Sequence, residues 1–306
     1  MLRVLAARLI SMLATLLAVV TGAFFLMRAA PGGPFDLERP LDPAVMENMR
    51  RLYRLDEPLW RQYLDYVEAL ARGDFGPSYF WRDISVAELL QKALPVSARL
   101  AAFAVLLACV IGVAAGIFAA ARAGSKLDFA VTSLSSAGVT LPNFVVAPVL
   151  QLVFGLWLRA LPTGGWGDGA WRNLVLPVAT LALPQVAVIA RLTRAAMIEA
   201  LNGPATRTAH AYGLPARVIF ARAFRAALLP LVSYLGPASA ALLTGSVVVE
   251  TTFGLPGVGR YFVESALNRD YTLSMGVVVV VAFTVVVVNA FVDLAYSLID
   301  PRIRHG

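Results

Sequence analysis

Six stretches of this 306-residue chain are apolar for long enough to cross a bilayer, and they restrict the fold more than any motif does. They run over residues 9–29, 100–121, 132–158, 174–190, 226–249 and 273–298. A hydrocarbon core about 30 Å thick takes about 20 helical residues to span. Lipid offers the backbone no hydrogen-bonding partner, so each stretch must satisfy its own N–H and C=O groups as a helix. The expected fold class is therefore all-α, a polytopic membrane protein with six transmembrane helices. Composition agrees, with 59% hydrophobic and only 15% charged residues. The first stretch follows Arg3 and Arg8 like a secretory signal, but it is too long for a signal core and reads as an uncleaved span. Val277–Val281 and Val285–Val288 are β-branched, yet the length of their stretch still makes it a helix. Pro142, Pro148, Pro177, Pro184, Pro230 and Pro237 mark expected kinks or helix ends.

Charge sets the orientation. With the N-terminus inside, one side of the membrane carries Arg3, Arg8, Arg122, Lys126, Arg191, Arg194, Arg207, Arg217, Arg222, Arg225, Arg302 and Arg304. The other side carries only Arg159, Arg172, Arg260 and Arg269 in its short loops. The excess of basic residues belongs in the cytoplasm, which places residues 1–8 and the C-terminus there. The net charge of +7 thus marks span ends and does not call for nucleic acid.

The cytoplasmic connector 191–225 has internal punctuation. Asn202-Gly203-Pro204 opens a short helix, Gly213 closes it, and Pro215 starts another, following the preference for proline first and glycine last. Its six arginines face one acid in the segment, Glu199. On the opposite side, the loop 30–98 contains an amphipathic segment at 58–72. There Leu59, Trp60, Tyr63, Leu64, Val67 and Leu70 recur at helical spacing, for a helix lying on the membrane surface or packed on the spans. In the second span Gly112 and Gly116 form a GxxxG pair, which lets another helix approach closely, either from this chain or from a second subunit.

Chemistry of several kinds is absent. A phosphate-binding Walker loop needs Gly-Lys, and the lysines, Lys92 and Lys126, follow Gln91 and Ser125. No HExxH or Gly-x-Ser-x-Gly occurs, and the histidines are His210 and His305. The single Cys109 permits no intrachain disulfide. Glu250 and Asp293 are acids near span ends, where an interfacial carboxylate is the simpler reading and no proton relay is evident. Thr140, Asn143, Gln151, Gln185, Thr244, Ser246 and Asn289 either line a pathway or bond neighbouring helices. Glu250, Phe253, Pro256, Gly257 and Gly259 mark the loop 250–272 as a plain turn or as a gate. A self-sufficient secondary carrier and a non-transporting scaffold remain alternatives at this level.

The run Arg207-Thr208-Ala209-His210-Ala211-Tyr212-Gly213-Leu214, followed by Ala227-Leu228-Leu229-Pro230, resembles the EAA loop of inner-membrane permease subunits of binding-protein-dependent ABC importers. It is similar to the peptide and nickel branch, where Arg-Thr-Ala replaces Glu-Ala-Ala, although His210 and Tyr212 stand where that branch more often has basic residues. Met27 to Phe35, Gly73 to Ser78, Glu250 to Gly259, Asn268 to Tyr271 and Asp300 to Arg304 extend the resemblance over the chain. Gly76-Pro77-Ser78 and Ser233 to Pro237 are most similar to oligopeptide members, with dipeptides, glutathione or nickel as alternative cargo.

The resemblance implies a type I ABC importer permease fold over 99–306, in the bacterial inner membrane. It also implies a second related permease subunit, two cytoplasmic ATPase subunits, and a periplasmic or lipid-anchored binding protein. ATP and Mg would belong to the ATPases, with no cofactor and no enzymatic activity in this chain. The segment Arg207, Thr208, Ala209, His210, Gly213 and Leu214 would be the ATPase coupling helix. Arg207 would meet acidic partner residues, and Thr208 and Ala209 would permit close approach.

Overall fold

The computed structural model describes residues 2–29, 47, 56–81 and 84–299. Met27 to Ala29 end the first helix, whereas Ala30 to Phe35 and the tail Asp300 to Arg304 lie outside the described residues, as do the side chains of Arg3, Arg8, Thr244 and Asp293. Ten α-helices follow in order among the described residues: α1 Leu2–Ala29, α2 Leu59–Ala71, α3 Val86–Ala121, α4 Lys126–Thr140, α5 Asn143–Leu150, α6 Trp171–Asn202, α7 Pro204–Ala211, α8 Ala216–Phe253, α9 Val258–Leu267 and α10 Tyr271–Ile299. Among the described residues five helices are long and apolar enough to cross a membrane, or six if α4 and α5, a pair bent at a short break, form one span. Leu13, Leu26, Phe129, Leu134 and Phe291 stay more than 60% exposed, as side chains facing lipid do.

The segment 132–158, expected as one span with a kink or helix end at Pro142, does break there. It bends by 104° between Thr140 and Asn143. Leu141 adopts extended backbone (φ −75°, ψ 117°), and Pro142 (φ −69°, ψ 143°) precedes α5. Proline lacks an N–H and pushes its predecessor out of the helical region, so the break falls where both effects act. After α5 the chain widens into a π-helix over Gln151–Trp157. Pro177, Pro184, Pro230 and Pro237 lie inside continuous helices and end none of them.

The chain forms two compact units. The first comprises Met1–Val96 and Pro256–Val286. In it α2 packs its apolar face inward: Tyr63, Tyr66, Val67 and Leu70 lie against a core of Val20, Phe24, Met275 and Val279. Of the two readings of the 58–72 segment, packing on the spans describes that face, while Leu59, Trp60 and Leu64 stay about half exposed. Asp270, fully buried, accepts from the amides of Leu273 (3.0 Å) and Phe80 (3.2 Å) and from the Ser78 hydroxyl. One carboxylate thus caps α10 and anchors the Gly76-Pro77-Ser78 turn.

The second unit comprises Ser97–Leu255 and Val287–Gly306. Here α6 packs against α4 and α8, and the glycine pair of α3 closes on α6. A Cβ at Gly112 would lie 2.8 Å from Ile189 Cγ2, and one at Gly116 would lie 2.6 Å from Ala190 O and from Thr193 Cβ. The pair therefore serves a contact inside this chain, not one with another subunit. Gly116→Leu is expected to destabilise the chain by about 1–3 kcal/mol through overpacking, read as a lowered unfolding temperature in detergent. Polar groups within the spans bond across helices in some cases and within their own helix in others. Tyr234 donates to Gln185 Oε1 at 2.8 Å, Ser246 to Leu243 O at 2.8 Å, and Thr140 to Ser136 O at 2.9 Å.

Candidate coupling site

The connector between α6 and α8 is an ordered element. Gly203 (φ −72°, ψ 164°) leaves the helical region, which stops α6 and lets Pro204 occupy the first turn of α7, where its missing N–H costs nothing. Thr206 Oγ1 reaches back to donate to Ala200 O at 2.7 Å, a carbonyl at the end of α6 that also accepts the Gly203 amide at 3.3 Å. At the far end Gly213 is left-handed (φ +68°). Its N–H donates to His210 O at 2.9 Å, and the Leu214 N–H to Ala209 O at 3.1 Å, the bond pair of a Schellman ending. Pro215 then precedes α8.

This geometry sorts the expected coupling residues into two sets. Arg207, Thr208, His210 and Tyr212 are exposed, with Tyr212 81% accessible. Ala209 is only 4% exposed and Thr206 only 7%. The expectation that Ala209 leaves room for another chain is therefore corrected. Its small side chain is turned inward and seats α7 on its own unit. Leu214 is half-buried and takes part through its amide.

A carboxylate that sequence reasoning passed over anchors the helix leading into α7. Asp128 on α4, 4% exposed, takes both sides of the Arg194 guanidinium, Nε on Oδ1 and Nη2 on Oδ2 at 2.7 Å, and accepts the Gly124 amide at 2.9 Å. A two-pronged guanidinium–carboxylate pair fixes orientation as well as distance. By sequence Arg194 belongs to a connector whose single acid is Glu199, yet its partner comes from another helix. The available signal was Ser125-x-x-Asp128, a helix-start pattern, and the Asp128 amide does bond Ser125 Oγ at 3.3 Å.

The residues expected to form a gate divide between the units. Glu250 and Phe253 belong to the second, and Pro256, Gly257 and Gly259 to the first. Glu250 lies one turn before the end of α8 and is fully buried, accepting from Ser97 Oγ at 2.7 Å. Around it the 163–165 loop is tied to the end of α8. Gln151 Nε2 donates to Thr163 O at 2.6 Å and Thr252 O at 3.3 Å, and the Gly165 amide donates to Phe253 O at 2.7 Å. In the first unit Gly257 starts α9, and Gly259 lies buried within it. Among the described residues no group of three or more His, Cys, Asp or Glu is arranged to hold a metal ion.

Residues 191–225 thus hold a short helix, α7, closed by a Schellman ending and set between the long helices α6 and α8. Residues 112–305 match the family described as the binding-protein-dependent transport system inner membrane component, and the chain belongs to that family. Over all 306 residues of both chains it is 47% identical to the oligopeptide transport system permease protein OppB of Haemophilus influenzae and 46% identical to that of Salmonella typhimurium. It is 41% identical to the dipeptide transport system permease protein DppB of Bacillus subtilis, covering 99% of this chain and 98% of that one.

Proposed function

We propose that this chain is a permease subunit of a peptide importer, forming half of the pathway for oligopeptides released by an external binding protein. Full-length similarity to oligopeptide permeases carries that reading. The exposed side of α7, with Arg207, Thr208, His210 and Tyr212, docks in a groove on an ATPase subunit, a helix-in-groove mode of recognition. ATP and Mg are held by that partner and its twin, and a second related permease completes the pathway. Both termini and the 191–225 connector face the cytoplasm, in keeping with their excess of arginine. Movement of an ATPase displaces α7, and the Schellman ending and the Asp128–Arg194 pair pass that displacement to α8, α6 and α4.

Similarity to the dipeptide permease of Bacillus subtilis supports a second reading, in which dipeptides are the cargo. Deleting the gene and supplying a required amino acid only within peptides separates the two. Growth should fail on longer peptides, persist on dipeptides, and return when the wild-type chain is restored. Unchanged growth on longer peptides would sink the oligopeptide reading.

A further inference from the structure

Helices α3 and α6 meet at a glycine seam and then part. At Gly112 and Gly116 the α3 backbone touches α6 near Val186, Ile189, Ala190 and Thr193. Contacts advance in the same direction along both helices, so the two run parallel. Toward their N-termini the glycines give way to bulky residues, and the helices leave a groove of about 410 Å³. One wall is Phe103, Leu106 and Val110, between 48% and 61% exposed; the other is Trp171, with Leu174 and Val178 nearly buried at the floor.

The walls are single helical stripes. Phe103, Leu106 and Val110 recur at the spacing of one helix face, as do Trp171, Leu174 and Val178. Each wall covers seven helical rises, about 10 Å, which fits within one leaflet of a core about 30 Å thick. Arg99 continues the α3 stripe one turn beyond Phe103. Its guanidinium sits beside Gly169, where a Cβ would fall 3.1 Å from Nη1 and 3.3 Å from the Trp166 ring. Arg99 is exposed and makes no hydrogen bond or ion pair among the described residues. Arg172 donates to Ala160 O at 2.8 Å, and Asp168, beside Gly169 in sequence, is exposed. Trp171, 71% exposed at the helix end, has the position of an interfacial aromatic.

We propose that this groove binds one acyl chain of an anionic phospholipid whose phosphate meets Arg99. Two features select that occupant over a helix from another subunit. Helix contacts within membranes favour small residues, and this chain uses glycine for its own α3–α6 contact, whereas the groove walls carry no Gly, Ala or Ser. At the groove mouth the exposed Arg99 guanidinium offers charge-assisted N–H donors to phosphate oxygens.

Native mass spectrometry of the detergent-solubilised complex with phosphatidylglycerol and with phosphatidylcholine of the same acyl chains tests the proposal. One phosphatidylglycerol per chain should survive, held about tenfold more tightly than phosphatidylcholine, as one charge-assisted contact provides. Arg99→Gln should remove that preference. Leu106→Trp and, separately, Val110→Phe should displace both lipids, while Leu134→Trp on the exposed face of α4 should leave them bound. A preference unchanged in Arg99→Gln, lipid retained in both groove-filling variants, or a photo-cross-linker at Val110 capturing another subunit instead of lipid overturns the proposal.

Discussion

Gly213→Arg is expected to abolish peptide uptake while the chain still reaches the membrane in normal amounts. Gly213 holds φ +68°, and no atom lies within 4 Å of where its Cβ would be. The penalty is therefore conformational and not steric. A residue with a β-carbon loses about 1–2 kcal/mol in the left-handed region, a factor of about 5–30 in the population of the correct ending. When that ending is lost, so are the Gly213–His210 and Leu214–Ala209 bonds, and Pro215 no longer directs α8 away from α7. Gly213→Asn separates geometry from charge and bulk, since Asn tolerates this conformation, and it should retain most uptake. Uptake in a deletion strain, with membrane abundance measured by immunoblot, decides the matter. Normal import by Gly213→Arg would remove α7 from the coupling role.

Breaking the Asp128–Arg194 pair should be the next most damaging change. Asp128→Asn or Arg194→Gln leaves a mostly buried partner without its counter-charge, which costs more than removing both groups together. Each single variant should therefore lose thermal stability in detergent and lose uptake, and the double variant should lose less than the sum of the two. Asp128→Arg with Arg194→Asp tests the pair's sign, and partial recovery of uptake is expected. Additive losses, with no recovery on exchange, would mean that the pair does not tie α4 to α6 in the working transporter.

Several features were legible because their causes are local. Apolar length identified the spans, since lipid leaves the backbone no alternative to internal hydrogen bonds. Pro204 and Gly213 were readable as the ends of α7 because restricted and left-handed backbone belong to those residue types. Local chemistry also misled. Pro142 breaks a span while Pro177, Pro184, Pro230 and Pro237 do not, and nothing in the individual residues distinguishes them. Ala209 read as an outward contact because smallness carries no direction.

Periodicity, charge and punctuation by themselves determined that this chain is a multi-span helical membrane protein with a short capped helix in its basic connector. Tertiary structure alone decided which groups meet. It turned Gly112 and Gly116 onto α6, gave Arg194 its partner 66 residues away, and buried Glu250 against Ser97 and Asp270 beneath the 76–80 turn. The reason is physical. Helix ends are set by backbone preferences within a few residues, whereas a charge pair or a glycine seam depends on the rotation and depth at which two distant helices pack.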